Sequence, residues 1–311
     1  MKSLLHITNG DYTTQTLNNL DIKGQIITWR EMLCEGKTTT DVGSETFWKT
    51  RFDFLNTSYK ITKKTFIDFT LKEYRNLCKQ NQDEVVLWFD HDLFCQVNML
   101  AVISWLKRYR KGRKITIIQH NHEADSQKKA LSQLSKRAIN NLLKNRVELT
   151  QDDIEYADYI WQLYCSDSPL RLETVHKFNP SSPFIYLTEA IKAHLLRFPS
   201  VENGLNKIEN TVLQTISQND FKTKEALINN LLSNQSIYGF GDVQYENKIN
   251  NLKKMICSFN PVKLSKTGKD VLNNQLNYYR EIRSDFSYLG GAKKYSYLYI
   301  SANDKLLKLT S

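Results

Sequence analysis

Val85-Val86-Leu87-Trp88-Phe89-Asp90-His91-Asp92-Leu93 is the stretch whose reading decides the fold. Five consecutive apolar residues without polar alternation describe a strand buried on both faces. Such strands belong to parallel sheets with helices on either side. The abrupt change at Asp90 marks the strand's carboxyl end, and residues 93–109 then read as a helix. Working outward, residues 4–8 form a strand before the turn Asn9-Gly10, and residues 25–29 form another entered through Gly24. Residues 115–118 are β-branched throughout and make a fourth. Helices are expected at 44–56 and 62–80. The pattern predicts a three-layer α/β domain with a mostly parallel sheet over residues 1–148.

Residues 149–204 read as a helical connector, with an apolar ladder at Ile154, Ala157, Ile160, Trp161 and Tyr164. Four of the five prolines, Pro169, Pro180, Pro183 and Pro199, punctuate it, which places the domain boundary there. Residues 205–311 predict a winged-helix-like α+β unit. Its amphipathic helices are marked by Ile208 to Ile216, by Leu227 to Leu232, and by Tyr245, Ile249, Leu252 and Ile256. A strand at 262–264 follows, then a helix ending near Arg283. Gly290-Gly291 with alternating Tyr295, Tyr297 and Tyr299 predicts a terminal hairpin.

The charge is unevenly spread along the 311 residues. The total is +10, made of +8 over residues 1–150, −4 over 151–204 and +6 over 205–311. Two basic parts flanking an acidic connector favour phosphate-bearing partners, including nucleic acid, without naming one. Five scattered cysteines with no CxxC predict a reduced, cytoplasmic chain without structural zinc or disulfides. No apolar run approaches the ~18 residues of a membrane span. The amino-terminal MKSLLHITNGD reaches polar residues too early to be read as a signal peptide.

Every predicted strand runs out into polar residues: Asn9-Gly10-Asp11, Arg30-Glu31, Asp90-His91-Asp92 and His120-Asn121-His122, with Glu123 and Asp125 beyond. In an open parallel sheet ligands bind outside the strand carboxyl ends. His6, Asn9, Asp11, Arg30 and Glu31 are therefore candidate ligand-binding residues, and Asp90, His91 and Asp92 candidate catalytic ones. Asp90 and Asp92 could hold Mg²⁺ through carboxylate oxygens, although Asp92 also suits the N-cap of the following helix. Arg30 would pair with phosphate, Asp11 and Asp90 would hold sugar hydroxyls or metal, and His91 would donate a proton. A charge at Asp90 should be held by Arg30, a protonated histidine or a metal. His120-x-His122 is a weaker metal pattern. Gly36-Lys37-Thr38 lacks the earlier glycine of a P-loop, and no GxSxG or HExxH occurs.

The run from Lys107 to Lys114 holds six cations in eight positions, so Lys107, Arg108, Arg110 and Lys111 are nucleic-acid candidates. The same run also suits a solvated helix terminus. The third carboxyl-terminal helix carries acids and no arginine that could read guanine. Three classes of function stay open: a phosphate- or nucleotide-binding protein with metal-assisted chemistry, a non-enzymatic regulator with a nucleic-acid-binding unit, and a protein-interaction scaffold.

Together, Leu5-His6-Ile7-Thr8-Asn9-Gly10-Asp11, Trp29-Arg30-Glu31, Val85 to Leu93 with Gln96, Leu149-Thr150 with Trp161, Gly204-Leu205 with Glu209, Gly241-Asp242, Leu264 to Leu272 and Gly290-Gly291 resemble a bacterial family. It is the family of domain of unknown function 1835 with its companion region, domain of unknown function 3658. The family usually has His-Glu-Gly-Pro where this chain has Cys34-Glu35-Gly36-Lys37, and Glu-His-Asp where it has Asp90-His91-Asp92. The resemblance implies a shared strand-end site and no particular activity.

Overall fold

A five-stranded sheet organises the amino-terminal half, and four of its strands fall within a residue of the segments expected from the sequence, whereas β6 was not expected. The computed structural model describes residues 3–120, 129–177, 183–235 and 237–309. The chain begins β1 (Leu4–Asn9), α1 (Asp11–Asn19), β2 (Gln25–Trp29) and a short β3 (Gly36–Lys37). Next come α2 (Glu45–Tyr59), α3 (Lys63–Phe66) and α4 (Lys72–Cys78), the last two joined by a π-helical turn at Ile67–Leu71. Then follow β4 (Glu84–Trp88), α5 (Leu93–Tyr109), β5 (Lys114–Ile117), α6 (Lys136–Lys144) and β6 (Val147–Glu148). The sheet order is β2-β1-β4-β5-β6. The first four strands are parallel and β6 is antiparallel to β5.

Alternation along the strands builds the three layers. Leu5, Ile7, Val85, Leu87, Ile115 and Ile117 belong to one core cluster, which α5 joins. Val86 and Trp88 face the other side, with Leu17 of α1 and Ile139 of α6. Helix α5 is buried almost all round, because it lies between the sheet and the connector helices α7 (Gln151–Tyr164) and α8 (Leu187–Leu195). Its near-continuous apolar sequence is what such a position requires.

Beyond the connector, α9 (Lys207–Gln218), α10 (Lys224–Asn234) and α11 (Asp242–Asn251) precede a two-stranded hairpin of β7 (Ile256–Phe259) and β8 (Val262–Leu264). Ile256 therefore opens a strand rather than closing the third helix, since α11 ends five residues earlier and Ile256 pairs with Leu264. Helices α12 (Lys266–Leu272) and α13 (Tyr279–Ile282) follow, then β9 (Tyr288–Gly290) and β10 (Ala292–Lys293). A tight antiparallel hairpin turns at Gly290-Gly291 between β9 and β10, and a second one, β11 (Tyr297–Ile300) with β12 (Lys305–Lys308), follows it. Strand β9 also pairs with β3 of the amino-terminal half. One apolar core consequently runs from Leu5 to Leu306.

Candidate functional site

Strand order fixes where a ligand site would open. From β1 the chain moves to β2 on one side and to β4 on the other, so the order reverses between β1 and β4. The loops after these two strands diverge and leave a crevice at the switch point. Asn9, Gly10 and Asp11 stand on one side of it, and Asp90, His91 and Asp92 on the other.

Gly10 makes the first loop possible. It has φ 78° and ψ 175°, a region essentially reserved for glycine, and its amide donates to Trp29 O at 3.1 Å. A side chain there would meet nothing within 4 Å, so backbone conformation alone selects glycine. Helix α1 then opens without a side-chain cap. Its first residue, Asp11, accepts from Arg30 at 2.9 Å (Nε) and 2.7 Å (Nη2), both to Oδ1. Arg30 Nη1 donates to Phe69 O at 3.2 Å. Arg30 is thus held by Asp11 rather than by Asp90.

The amino end of α5 is closed, in contrast. Asp92 is its N-cap and accepts from Cys95 N at 2.8 Å. Leu93 N donates to Ile237 O at 2.8 Å and Phe94 N to Tyr238 O at 3.2 Å, both carbonyls coming from the α10–α11 loop. Gly239 lets that loop pass: with φ 69°, a Cβ there would stand 2.2 Å from Asp92 Oδ1. The donors that commonly grip phosphate are therefore spent on α5 and uncapped on α1. Burial pushes the Asp92 carboxyl up, and the nearby charge of Asp90 adds to this against the Cys95 amide.

Asp90 is oriented from both oxygens. Oδ1 accepts from His91 N and lies 3.0 Å from His91 Nδ1, while Oδ2 accepts from Leu131 N at 3.0 Å. Gln96 Nε2 donates to Asp90 O at 2.7 Å and fixes the loop from α5. Asp90 pairs with the His91 ring, which is a cation there only when protonated. Among the described residues no group of three or more His, Cys, Asp and Glu side chains is arranged to hold a metal. A Mg²⁺ at Asp90 and Asp92 would share these carboxylates with the His91, Leu131 and Cys95 amides.

The other expected site residues are used inside the fold. Asn9 Oδ1 accepts from Asn98 at 2.7 Å, and its Nδ2 donates to Cys95 Sγ at 3.1 Å. His6, expected from the sequence to be a ligand-binding imidazole, is fully buried on β1, away from the strand end. Trp88 Nε1 donates to its Nδ1 at 3.0 Å, so Nε2 carries the proton and donates to Lys23 O at 3.0 Å. Glu31 is likewise turned inward, its Oε2 accepting from Arg51 Nε at 2.9 Å with both side chains at most 1% exposed. His122, Asn121, Glu123 and Asp125 lie outside the described residues.

The basic run sits at the opposite edge, before β5. Lys107 pairs with Glu155 and Asp158 at 2.5 and 2.6 Å, and Arg108 pairs with Asp41. Arg110 stacks on Trp105 and donates to Cys78 O at 2.5 Å. Lys111 is exposed. Three of the four nucleic-acid candidates thus have partners within the chain.

Arg51 is a residue the sequence reading passed over. Besides Glu31, it donates to Glu35 O, Lys37 O and Met32 O at 2.8, 3.0 and 3.0 Å. It shapes the whole loop between β2 and β3. Nothing in its sequence setting, mid-helix between Thr50 and Phe52, marks it. An arginine at a position whose helical neighbours Phe47 and Leu55 are buried is the available clue.

No protein-family model matches the chain, and no curated protein matches it. Among solved structures it is similar to the topoisomerase II DNA-binding, cleavage and re-ligation domain of Plasmodium falciparum. Identity is 13% and the TM-score 0.45, over 83% of this chain and 42% of that one. The chain thus spans about two fifths of that solved chain, a likeness too slight to bear on fold or function. No helix among the described residues is long and apolar enough to cross a membrane.

Proposed function

We propose that the crevice between the ends of β1 and β4 binds a phosphate-bearing small molecule or nucleotide. The observation that carries this reading is the asymmetry of the two helix ends. Helix α5 has its first-turn amides satisfied by Asp92, Ile237 and Tyr238, whereas α1 opens at Gly10 without a cap, beside Arg30. A phosphate on the α1 amides would gain the helix dipole and a forked guanidinium. Arg30 would turn from Asp11 to the phosphate, releasing the Asp11 carboxylate for a sugar hydroxyl. The Asp90–His91 pair, facing from the neighbouring strand, would place an imidazole proton against the ligand. Membership of the domain of unknown function 1835 family is part of the proposal, since its shared segments Asn9-Gly10-Asp11, Trp29-Arg30-Glu31 and Asp90-His91-Asp92 meet at this edge.

The test is calorimetric titration of the full chain with AMP, ribose 5-phosphate and adenosine, each with and without Mg²⁺. Binding of the two phosphates but not of adenosine, weakened by Arg30→Met, supports the reading. Equal binding of adenosine would contradict it. A strict requirement for Mg²⁺ would restore a metal to the site.

A further inference from the structure

A cavity of about 680 Å³ lies between α2 and the carboxyl-terminal part, away from the strand-end crevice and sharing none of its residues. That volume falls in the range of small-molecule sites, about 300–1,000 Å³. Its lining includes Lys37, Tyr59, Arg197, Lys248, Tyr288 and Lys294.

The cations are not equivalent. Lys248 pairs with Glu35 Oε1, and Tyr59 Oη donates to Oε2 of the same carboxylate. Burial alone would raise Glu35, but Lys248 and Tyr59 outweigh it and hold the carboxyl below its usual range. Lys294 pairs with Glu209 at 3.1 Å. Arg197 is different: it is 2% exposed and makes no ion pair among the described residues. Its Nη1 donates to Cys34 O at 2.5 Å and its Nη2 to His194 Nδ1 at 2.8 Å, while Nε has no partner. Burial and the Arg197 charge hold the His194 imidazole neutral, so neither contact balances the guanidinium. The Glu35 carboxylate feels the Arg197 charge but is already paired with Lys248 and Tyr59, and a buried charge without an ion-pair partner of its own is costly. On the cavity wall, exposed Lys37 holds its ammonium 4.9 Å from the centroid of Tyr288, with Phe54 and Tyr59 nearby in the lining.

We infer that this cavity is a second ligand site, taking a small molecule with an oxyanion head and a planar or apolar body. The head answers Arg197 and Lys37, and the body lies against Tyr288 and Phe54. The head is a phosphate or a carboxylate, because both offer the oxygens that a guanidinium and an ammonium recognise.

The experiment is calorimetric titration of the full chain with inorganic phosphate and, separately, with succinate. One of them should bind with a Kd of about 1 mM or tighter, weakened at least tenfold or so by Arg197→Gln and by Lys37→Ser. Arg30→Met should leave that Kd unchanged. Lys37 is exposed, so Lys37→Ser keeps the test decisive should Arg197→Gln not fold. The tighter anion identifies the head group. Binding of neither anion, or binding indifferent to Lys37→Ser, overturns the inference. Loss of binding in Arg30→Met alone places the anion at the strand edge, which overturns this site and leaves the first one standing.

Discussion

Replacing Arg51 by methionine probes the contact that holds the β2–β3 loop. Arg51 uses Nε on Glu31, Nη1 on two carbonyls and Nη2 on a third. Methionine fills similar space and removes all four bonds. Glu31 is then a buried carboxylate without its cation, and its Oε1 already lacks a partner. Breaking a buried pair from one side costs about 3–5 kcal/mol. The three carbonyls add to this, each unsatisfied acceptor costing about 1–3 kcal/mol when it finds no water. Against a total stability of about 5–15 kcal/mol, the variant should be at the margin of folding. Urea unfolding followed by tryptophan fluorescence, extrapolated linearly, gives the number. The cost belongs chiefly to the stranded carboxylate, so Arg51→Met with Glu31→Met should be more stable than Arg51→Met alone. Arg51→Lys should fall between, because an ammonium keeps the charge without the planar fork. A loss below about 1 kcal/mol for Arg51→Met, or a double variant no better than the single one, would refute the assignment.

Three further outcomes follow from the same geometry. Burial lowers His6 and, more strongly, His194, so the unfolded chain takes up protons there before the native one does. Stability should therefore fall as pH drops below about 6.5, approaching ~1.4 kcal/mol per pH unit for each histidine, and urea midpoints flat from pH 7 to 5 would contradict this. Gly10→Ala should cost about 1–3 kcal/mol through backbone strain although the methyl meets no atom, and thermal melting indistinguishable from wild type would show that the loop relaxes. Asp90→Asn must turn an amide NH₂ against either His91 N or Leu131 N, so a loss of about 1–3 kcal/mol is expected in urea unfolding, and a gain would show that the carboxylate charge is a liability.

Legibility in the sequence followed physical locality. Strand β4 and helix α5 were readable because burial on both faces leaves near-continuous apolar runs, and the polar residues after β4 marked the sheet edge. The Asp11–Arg30 and Asp90–His91 pairs lie at that edge. Glu31 shows that a polar residue next to a strand end looks alike whether it faces solvent or a buried partner, and His6 that a histidine within a strand does not declare its partners. His6 is taken by Trp88 and Lys23, and Glu31 by Arg51, all at long sequence separation. The closure of α5 by Ile237 and Tyr238, and the pairing of β3 with β9, join segments 140 residues or more apart. No periodicity records such contacts. Arg197 carries no local signal either, since its bond to Cys34 O spans 163 residues.

The central claim is that the uncapped α1 terminus and Arg30 bind phosphate while the closed α5 terminus does not. The most direct measurement is calorimetric titration of wild type, Arg30→Met and Gly239→Ala with AMP. The account predicts binding by wild type, at least about tenfold weaker binding by Arg30→Met, and a Kd within about twofold of wild type for folded Gly239→Ala, which perturbs only the α5 side. Binding that survives Arg30→Met and is lost in folded Gly239→Ala would place the phosphate on α5 and contradict it.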